Sequence, residues 1–364
     1  MPFDNGNVSF TVCSLPKKLT LSALESFAEH KAHDLKSATE EPRFGWVTGR
    51  HLLDTNINEN TAIHGGHLFL QLQSAVRRIP SSLFKAECRM REIVYMEDQR
   101  SEFVPRKIRQ KIKEDVRDQF LPDMPPTVTG IPFVIDDVHQ IAYVGATSPR
   151  QLDRFNESLY ETLSHDAAPL TPDFASDILF GINADTLYPL FFSENQAEAD
   201  GFFGRDFATW IWYFQEMERG VFDVEDFGEF SIAIDGPLTF AADGPGALES
   251  VVRKGVPTAS AEAKAALSVG KKIRACKITL VRDREIWTFT LDADNFAFKG
   301  VNLPQMGEAM DAHSVFEERI MALTIMRQAF FTLYERYLSI ATDKKKVDKL
   351  NAKLRDWVEN LSSR

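Results

Sequence analysis

Cysteine is scarce in this chain. Cys13, Cys88 and Cys276 are odd in number and far apart, which excludes a disulfide framework and a CxxC-type zinc site and fits a reducing compartment. No uninterrupted apolar run approaches the ~18 residues that a membrane helix needs. The opening "MPFDNGNVSF" has no basic stretch followed by an apolar one, so no signal peptide and a cytoplasmic location are expected. P-loop, dinucleotide-fingerprint and G-x-S-x-G patterns are missing as well. No repeat or low-complexity tract occurs, and no cofactor is expected.

What the chain has is apolar mass and segregated charge. Of its 364 residues 44% are hydrophobic and 28 are Phe, enough for a substantial core and two or so domains. The formal net charge is −11. Residues 77–117 nevertheless hold twelve Lys/Arg against seven Asp/Glu, a local +5 that leaves −16 for the rest. Net charge sets solubility and steering, whereas binding depends on where the positive charge sits.

Alternation predicts strands in "NVSFTVCSL", "GWVT" and "HLFLQLQSAVRR", with Gly65-Gly66 as a turn before the last. "LTLSALESFAEHKAHDL" has helical spacing. Pro80 and Ser81-Ser82 announce a helix to about Glu97, whose Leu83, Ala86, Met90, Ile93 and Val94 share one face. Pro105 opens another helix, ending near "LPDMPP". Strands "IPFVID" and "QIAYVGA" and a helix "SPRQLDRFNESLYETL" follow. The first half therefore reads β-α-β-β-(αα)-β-β-α, with a helical hairpin at 79–122 inserted into an α+β domain made of 1–78 and 123–169. A second α+β domain is expected over 170–343. It includes a largely buried helix "RDFATWIWYFQEME", a hairpin of "EFSIAID" with "GPLTFAA", short helices "GALESVVRK" and "TASAEAKAALSV", a hairpin of "KKIRACKITLVR" with "EIWTFTLDA", and a long helix from about Ser314 to Ile340. Val347, Leu350, Leu354, Trp357 and Leu361 give a helical extension at 344–364 with a/d spacing. The fold class is α+β, with mixed or antiparallel sheets and a helical C-terminus.

At 100° per residue the basic helix sorts into faces. Ile108, Ile112 and Val116 form an apolar arc, with Phe120 at its edge. Arg106, Arg109, Lys113 and Arg117 form a stripe beside it. Lys107 and Lys111 stand near Glu114 and Asp118 at ion-pair spacing. The preceding helix adds Lys85 and Arg89, and the bend adds Arg100. Such runs are commonly solvated faces. Here the stripe is purely basic over three turns and lies beside an apolar seam that would fix its direction, an arrangement suited to a row of phosphates. A second cluster, Arg253, Lys254, Lys272 and Arg274, reads either as a basic patch or as Lys/Arg protection of a sheet edge.

Enzyme chemistry finds little purchase. A metal-dependent nuclease needs converging carboxylates. The richest acidic stretch, Asp223, Glu225, Asp226, Glu229 and Asp235, has no metal-site spacing. His64 and His67 of "HGGH" are ligand types, equally explained by a turn. Trp210 and Trp212 are placed as core residues rather than base-stacking ones.

The ordered series "FGWV", "RRIPSSLFKAE", "KIKEDVRDQFLP", "FVID", "AYVGATSPRQLD", "APLTP", "GRDFATWIWYFQE", "GKKIRACKITL", "WTFTLDA" and "FEERIMALTIMRQAFFTLYERY" resembles the recombination-associated protein RdgC family over roughly residues 8–340. That resemblance implies a ring-shaped homodimer with centre, tip and base regions. It implies binding to duplex DNA, with single-stranded DNA as an alternative, with little sequence preference, restraint of RecA-driven recombination, association with the nucleoid, and no membrane. The hairpin matches the tip, Arg100 its basic bend, and Arg253-Lys254 the base. One departure is Leu121-Pro122-Asp123-Met124-Pro125, where the family has an aromatic or apolar contact residue after Leu-Pro, so a different tip–tip contact is expected. The expected function is a non-enzymatic DNA clamp, with a metal-dependent exonuclease or a protein scaffold as the alternatives.

Overall fold

The computed structural model describes residues 3–19, 21–194, 196, 201–242, 248–305, 307 and 311–363. In chain order its strands are β1 (Val8–Ser14), β2 (Arg43–Thr48), β3 (Ile63–His64), β4 (His67–Val76), β5 (Thr127–Asp136), β6 (Ile141–Val144), β7 (Ala168–Pro169), β8 (Val221–Val224), β9 (Gly228–Ala241), β10 (Glu249–Val252), β11 (Lys272–Arg282), β12 (Glu285–Asp292) and β13 (Ala297–Asn302). The α-helices are α1 (Leu21–Glu29), α2 (Glu59–Ala62), α3 (Ser81–Asp98), α4 (Arg106–Phe120), α5 (Pro149–Leu163), α6 (Pro172–Phe180), α7 (Phe203–Glu218), α8 (Ala261–Ser268), α9 (Ala312–Ala341) and α10 (Lys344–Ser363).

All the strands join one antiparallel sheet, in the order β10-β9-β11-β12-β13-β1-β6-β5-β4-β2, with β3, β7 and β8 attached at the side. The two halves of the sequence meet where β1 pairs with β13, Phe10 opposite Phe298. In the N-terminal half of the sheet both faces are buried. Phe133, Ile135, Ala142 and Val144 pack with Phe27, Phe155 and Leu159 of α1 and α5. The alternating Val134, Ile141 and Tyr143 face the other way, into the core that includes Phe316, Ile320 and Leu323 of α9. Period-two alternation thus sorts neighbouring residues into two cores. In the C-terminal half only one face is apolar. Ile232, Ile234, Ile278, Leu280, Trp287 and Phe289 join the core of α7 and α9, the arrangement expected of an antiparallel sheet with one wet side. Gly204 is required where α7 starts, because a Cβ there would lie 1.9 Å from the Ala293 carbonyl oxygen.

The element order of the first half follows the expected β-α-β-β-(αα)-β-β-α except that α2 and the short β3 stand between β2 and β4, and the helix after β1 is shorter than its pattern. Two expectations of the second half fail. "EFSIAID" and "GPLTFAA" are not a hairpin but one strand, β9, because Gly236 and Pro237 are accommodated as a bulge: Cys276 pairs with Leu238 and Lys277 with Asp235. Proline cannot donate to a ladder, and a bulge is where a strand tolerates it. "GALESVVRK" is not helical in its described part. Residues 249–252 form the edge strand β10 against β9, and Gly246-Ala247 lie outside the described residues. The C-terminal extension is the expected helix, α10, and its Leu350, Leu354, Trp357 and Val358 belong to the main core. Leu361, the last of the expected stripe, has its side chain outside the described residues.

Candidate nucleic-acid interface

The hairpin α3–α4 has a small core of its own. Cys88, Val104, Ile112 and Val116 are buried, with Phe84, Tyr95, Met96, Ile108 and Phe120 packed around them. Arg77 ties its base to the sheet side by donating to the carbonyl oxygens of Pro122 and Met124. At the far end α3 closes with a Schellman pattern. The Ser101 N–H reaches the Met96 carbonyl at 2.9 Å and the Arg100 N–H that of Glu97 at 3.2 Å. Arg100 occupies the left-handed position, φ 47, where glycine is usual.

Because Ile112 and Val116 point into the seam, the basic stripe points out. Arg106, Arg109, Lys113 and Arg117 are all exposed, as are Lys85, Arg89 and Arg100. The stripe is not uniform. Arg109 leans on Glu92 at 3.1 Å and Arg117 on Glu40 at 3.0 Å, while Arg89 lies 3.5 Å from Glu92. Such exposed pairs are worth about 0–1 kcal/mol and are easily exchanged for another anion. The ion pairs that spacing allowed for Lys107 and Lys111 are not the ones formed: Glu114 accepts instead from Gln110 at 3.1 Å.

The helix α3 differs from its expected packing. The face turned toward α4 carries Phe84, Cys88, Tyr95 and Met96. The face read from the sequence as apolar looks outward, with Met90 55%, Ile93 40% and Val94 51% exposed and Phe103, past the bend, 69% exposed. Two apolar arcs on one helix leave the choice of the buried one to its partner, and α4 selects the aromatic arc.

The second basic cluster divides. Arg253 and Lys254 are exposed on the loop after β10. Lys272 is a correction: its side chain is 1% exposed and its ammonium lies 2.6 Å from a fully buried Asp206 carboxylate oxygen, so it faces no solvent phosphate. Arg274 is held between Glu249 and Asp294, each at 3.2 Å. A register shift between Ile273 and Ala275 breaks the strand alternation that put Lys272 and Arg274 on one face. Sequence reasoning missed this pair because Asp206 sits on α7, far away in the chain.

The residues considered for enzyme chemistry do not converge. Asp223 pairs with Glu229 across the β8–β9 turn, and among the described residues no three His, Cys, Asp or Glu side chains gather into a metal-holding group. Trp210 and Trp212 are buried, as expected, and Trp212 donates to Glu216 at 2.6 Å. Among the described residues no helix is long and apolar enough to cross a membrane.

Comparison with known families matches the RdgC family model, described as "Putative exonuclease, RdgC", over residues 7–176. Residues 7–176, just under half of the chain, match that model. The matched RdgC segment includes the whole hairpin and the N-terminal half of the sheet, and the family is a recombination-associated, DNA-related one. No curated protein matches the chain.

Proposed function

We propose that this chain is a non-enzymatic, sequence-tolerant duplex-DNA-binding protein, acting as a homodimer that encloses DNA and modulates RecA-dependent recombination. The observation that carries the proposal is the outward row Arg106, Arg109, Lys113 and Arg117, held in direction by buried Ile112 and Val116. The row contains no Asn or Gln aimed with it as a base-reading set, so phosphate contact, not base recognition, is its chemistry. Arg253 and Lys254, exposed on the loop after β10, supply a second patch of the same kind. The outward apolar arc of Met90, Ile93 and Val94 is the surface for the second copy, since hydrophobic residues grouped on one helix face favour burial against a partner. The resemblance supports this reading by matching the hairpin to a tip.

The family description names an exonuclease. The carboxylates of this chain give that activity no gathered site among the described residues. Gel shifts with linear and circular duplex, with and without Mg²⁺, separate binding from cleavage. Binding without degradation supports the proposal. Mg²⁺-dependent degradation that disappears in Asp226→Ala or Glu229→Ala replaces it with the nuclease.

A further inference from the structure

Among the described residues, His64 is a buried side chain with little to bond to. It is 3% exposed, and neither ring nitrogen makes a hydrogen bond of ordinary geometry, although the Thr61 backbone acts on the ring from nearby. Buried polar groups are nearly always paired, and an exception calls for a water or an ion. Its ring is flanked by Phe69 and Phe316, at 6.3 and 5.8 Å, which offer no lone pair and no proton. Besides Arg50 and the Thr61 backbone, it faces another imidazole. His313, exposed on the first turn of α9, has its ring centre 5.3 Å from that of His64.

That spacing has a chemical meaning. With Zn–N bonds of about 2.0–2.1 Å and a tetrahedral angle at the metal, two coordinated imidazoles place their ring centres roughly 5 Å apart. The exposure of His313 leaves the outer coordination positions to water. Arg50 is a cationic side chain acting on His64. Arg50 is itself 3.7 Å from Asp4, and the Asp311 carboxylate caps α9. Glu317, one turn beyond His313, approaches so closely that a Cβ on Gly65 would lie 2.6 Å from its Cγ. These carboxylates offset the positive charge nearby.

We propose that His64 and His313 together bind one first-row transition cation, zinc foremost, as a staple between the β3–β4 turn and the start of α9. The two ligands come from opposite ends of the chain, so the ion would fasten the N-terminal half of the sheet to the helix that runs beneath both halves. Imidazole donors suit zinc, copper and nickel and not magnesium, so the site is separate from any Mg²⁺-dependent nuclease chemistry. His67 is not part of it: its Nδ1 lies 2.9 Å from the Gly65 carbonyl oxygen.

The test uses the full chain after chelator treatment, titrated calorimetrically with Zn²⁺ near neutral pH and melted with and without the ion. The parent is expected to take up one Zn²⁺ per chain. Its melting temperature should rise with each tenfold excess of Zn²⁺ over Kd, as ligand linkage requires, and Mg²⁺ should leave it unchanged. His313→Gln, an exposed change, should keep the chelator-treated melting temperature and lose at least ~100-fold in Zn²⁺ affinity, while His67→Gln should bind as the parent does. Substitution by Co²⁺ should give the intense visible absorption of a tetrahedral centre in the parent and not in His313→Gln. Absence of uptake by the parent, equal affinity in His313→Gln, or loss in His67→Gln instead would each overturn the proposal.

Discussion

At the residue scale, position and charge can be separated experimentally. Arg100 holds a left-handed backbone angle, φ 47, which costs an L-residue about 1–2 kcal/mol. Glycine removes that strain but adds about 0.4–1 kcal/mol of unfolded-state entropy. Arg100→Gly should therefore melt at or slightly above the parent temperature, and still bind duplex more weakly in a gel shift. Unchanged affinity would mean that the bend does not touch phosphate. Lys272 should behave in the opposite way. Removing one partner of a buried ion pair costs about 3–5 kcal/mol, so Lys272→Ala should lose stability of that order in urea unfolding. Its folded fraction should bind DNA as the parent does. Affinity loss without destabilisation would restore Lys272 to the interface. The exposed sites were legible in the sequence because helical periodicity fixes them locally. Lys272 was not, because its burial is decided by Asp206 on another element and by a bulge that no local pattern announces.

At the scale of the element, α4 should act as one surface. Changing Arg106, Arg109, Lys113 and Arg117 to Gln keeps helix propensity nearly level. The ion pairs lost are exposed ones, and Glu92 keeps Arg89 at 3.5 Å. The variant should stay folded and lose affinity by a similar factor on every DNA sequence. Its log–log salt slope should become shallower by up to ~0.9 for each phosphate contact removed. An unchanged slope would reduce the stripe to a solvated face and move attention to Arg253 and Lys254. Ile112→Ala acts from the other side of the helix. Deleting a buried side chain costs about 2–5 kcal/mol, less where the site can collapse, and the hairpin core is small. The low end is expected, visible as faster hydrogen exchange confined to α3 and α4. Elements with a strong period were readable: the paired helices, β11 with β12, and the long α9. Gly-Pro in β9 reads locally as a turn, and only the ladder of β11 on one side and β10 on the other makes it a bulge.

At the scale of the whole molecule, the chain joins its ends. The sheet is continuous only because β1 pairs with β13, and α9 lies under both halves, with Arg327 on α9 reaching the Tyr143 hydroxyl of β6 at 3.1 Å. No sequence pattern shows that contact, since strand periodicity tells which face is buried and not which strand is the neighbour. Among the apolar side chains that the chain leaves exposed, four lie together on the outer arc of α3 and the bend after it. Met90, Ile93, Val94 and Phe103 are each between 40% and 69% exposed, on the same hairpin that carries the basic stripe. If a second copy covers that arc, closure of the dimer and the placing of the stripe against DNA depend on the same helix. Val94→Glu introduces a charge at a site already half open, so the monomer should melt close to the parent, as surface changes usually do. A carboxylate in a dimer contact would be buried without a partner, which is costly. Sedimentation should then show dissociation at concentrations where the parent is dimeric. Binding to circular duplex should weaken more than binding of the isolated basic stripe would predict, because an open ring releases DNA that a closed one retains. A Val94→Glu chain that remains dimeric would place the contact elsewhere, and a parent chain that is monomeric at every concentration would remove the ring altogether.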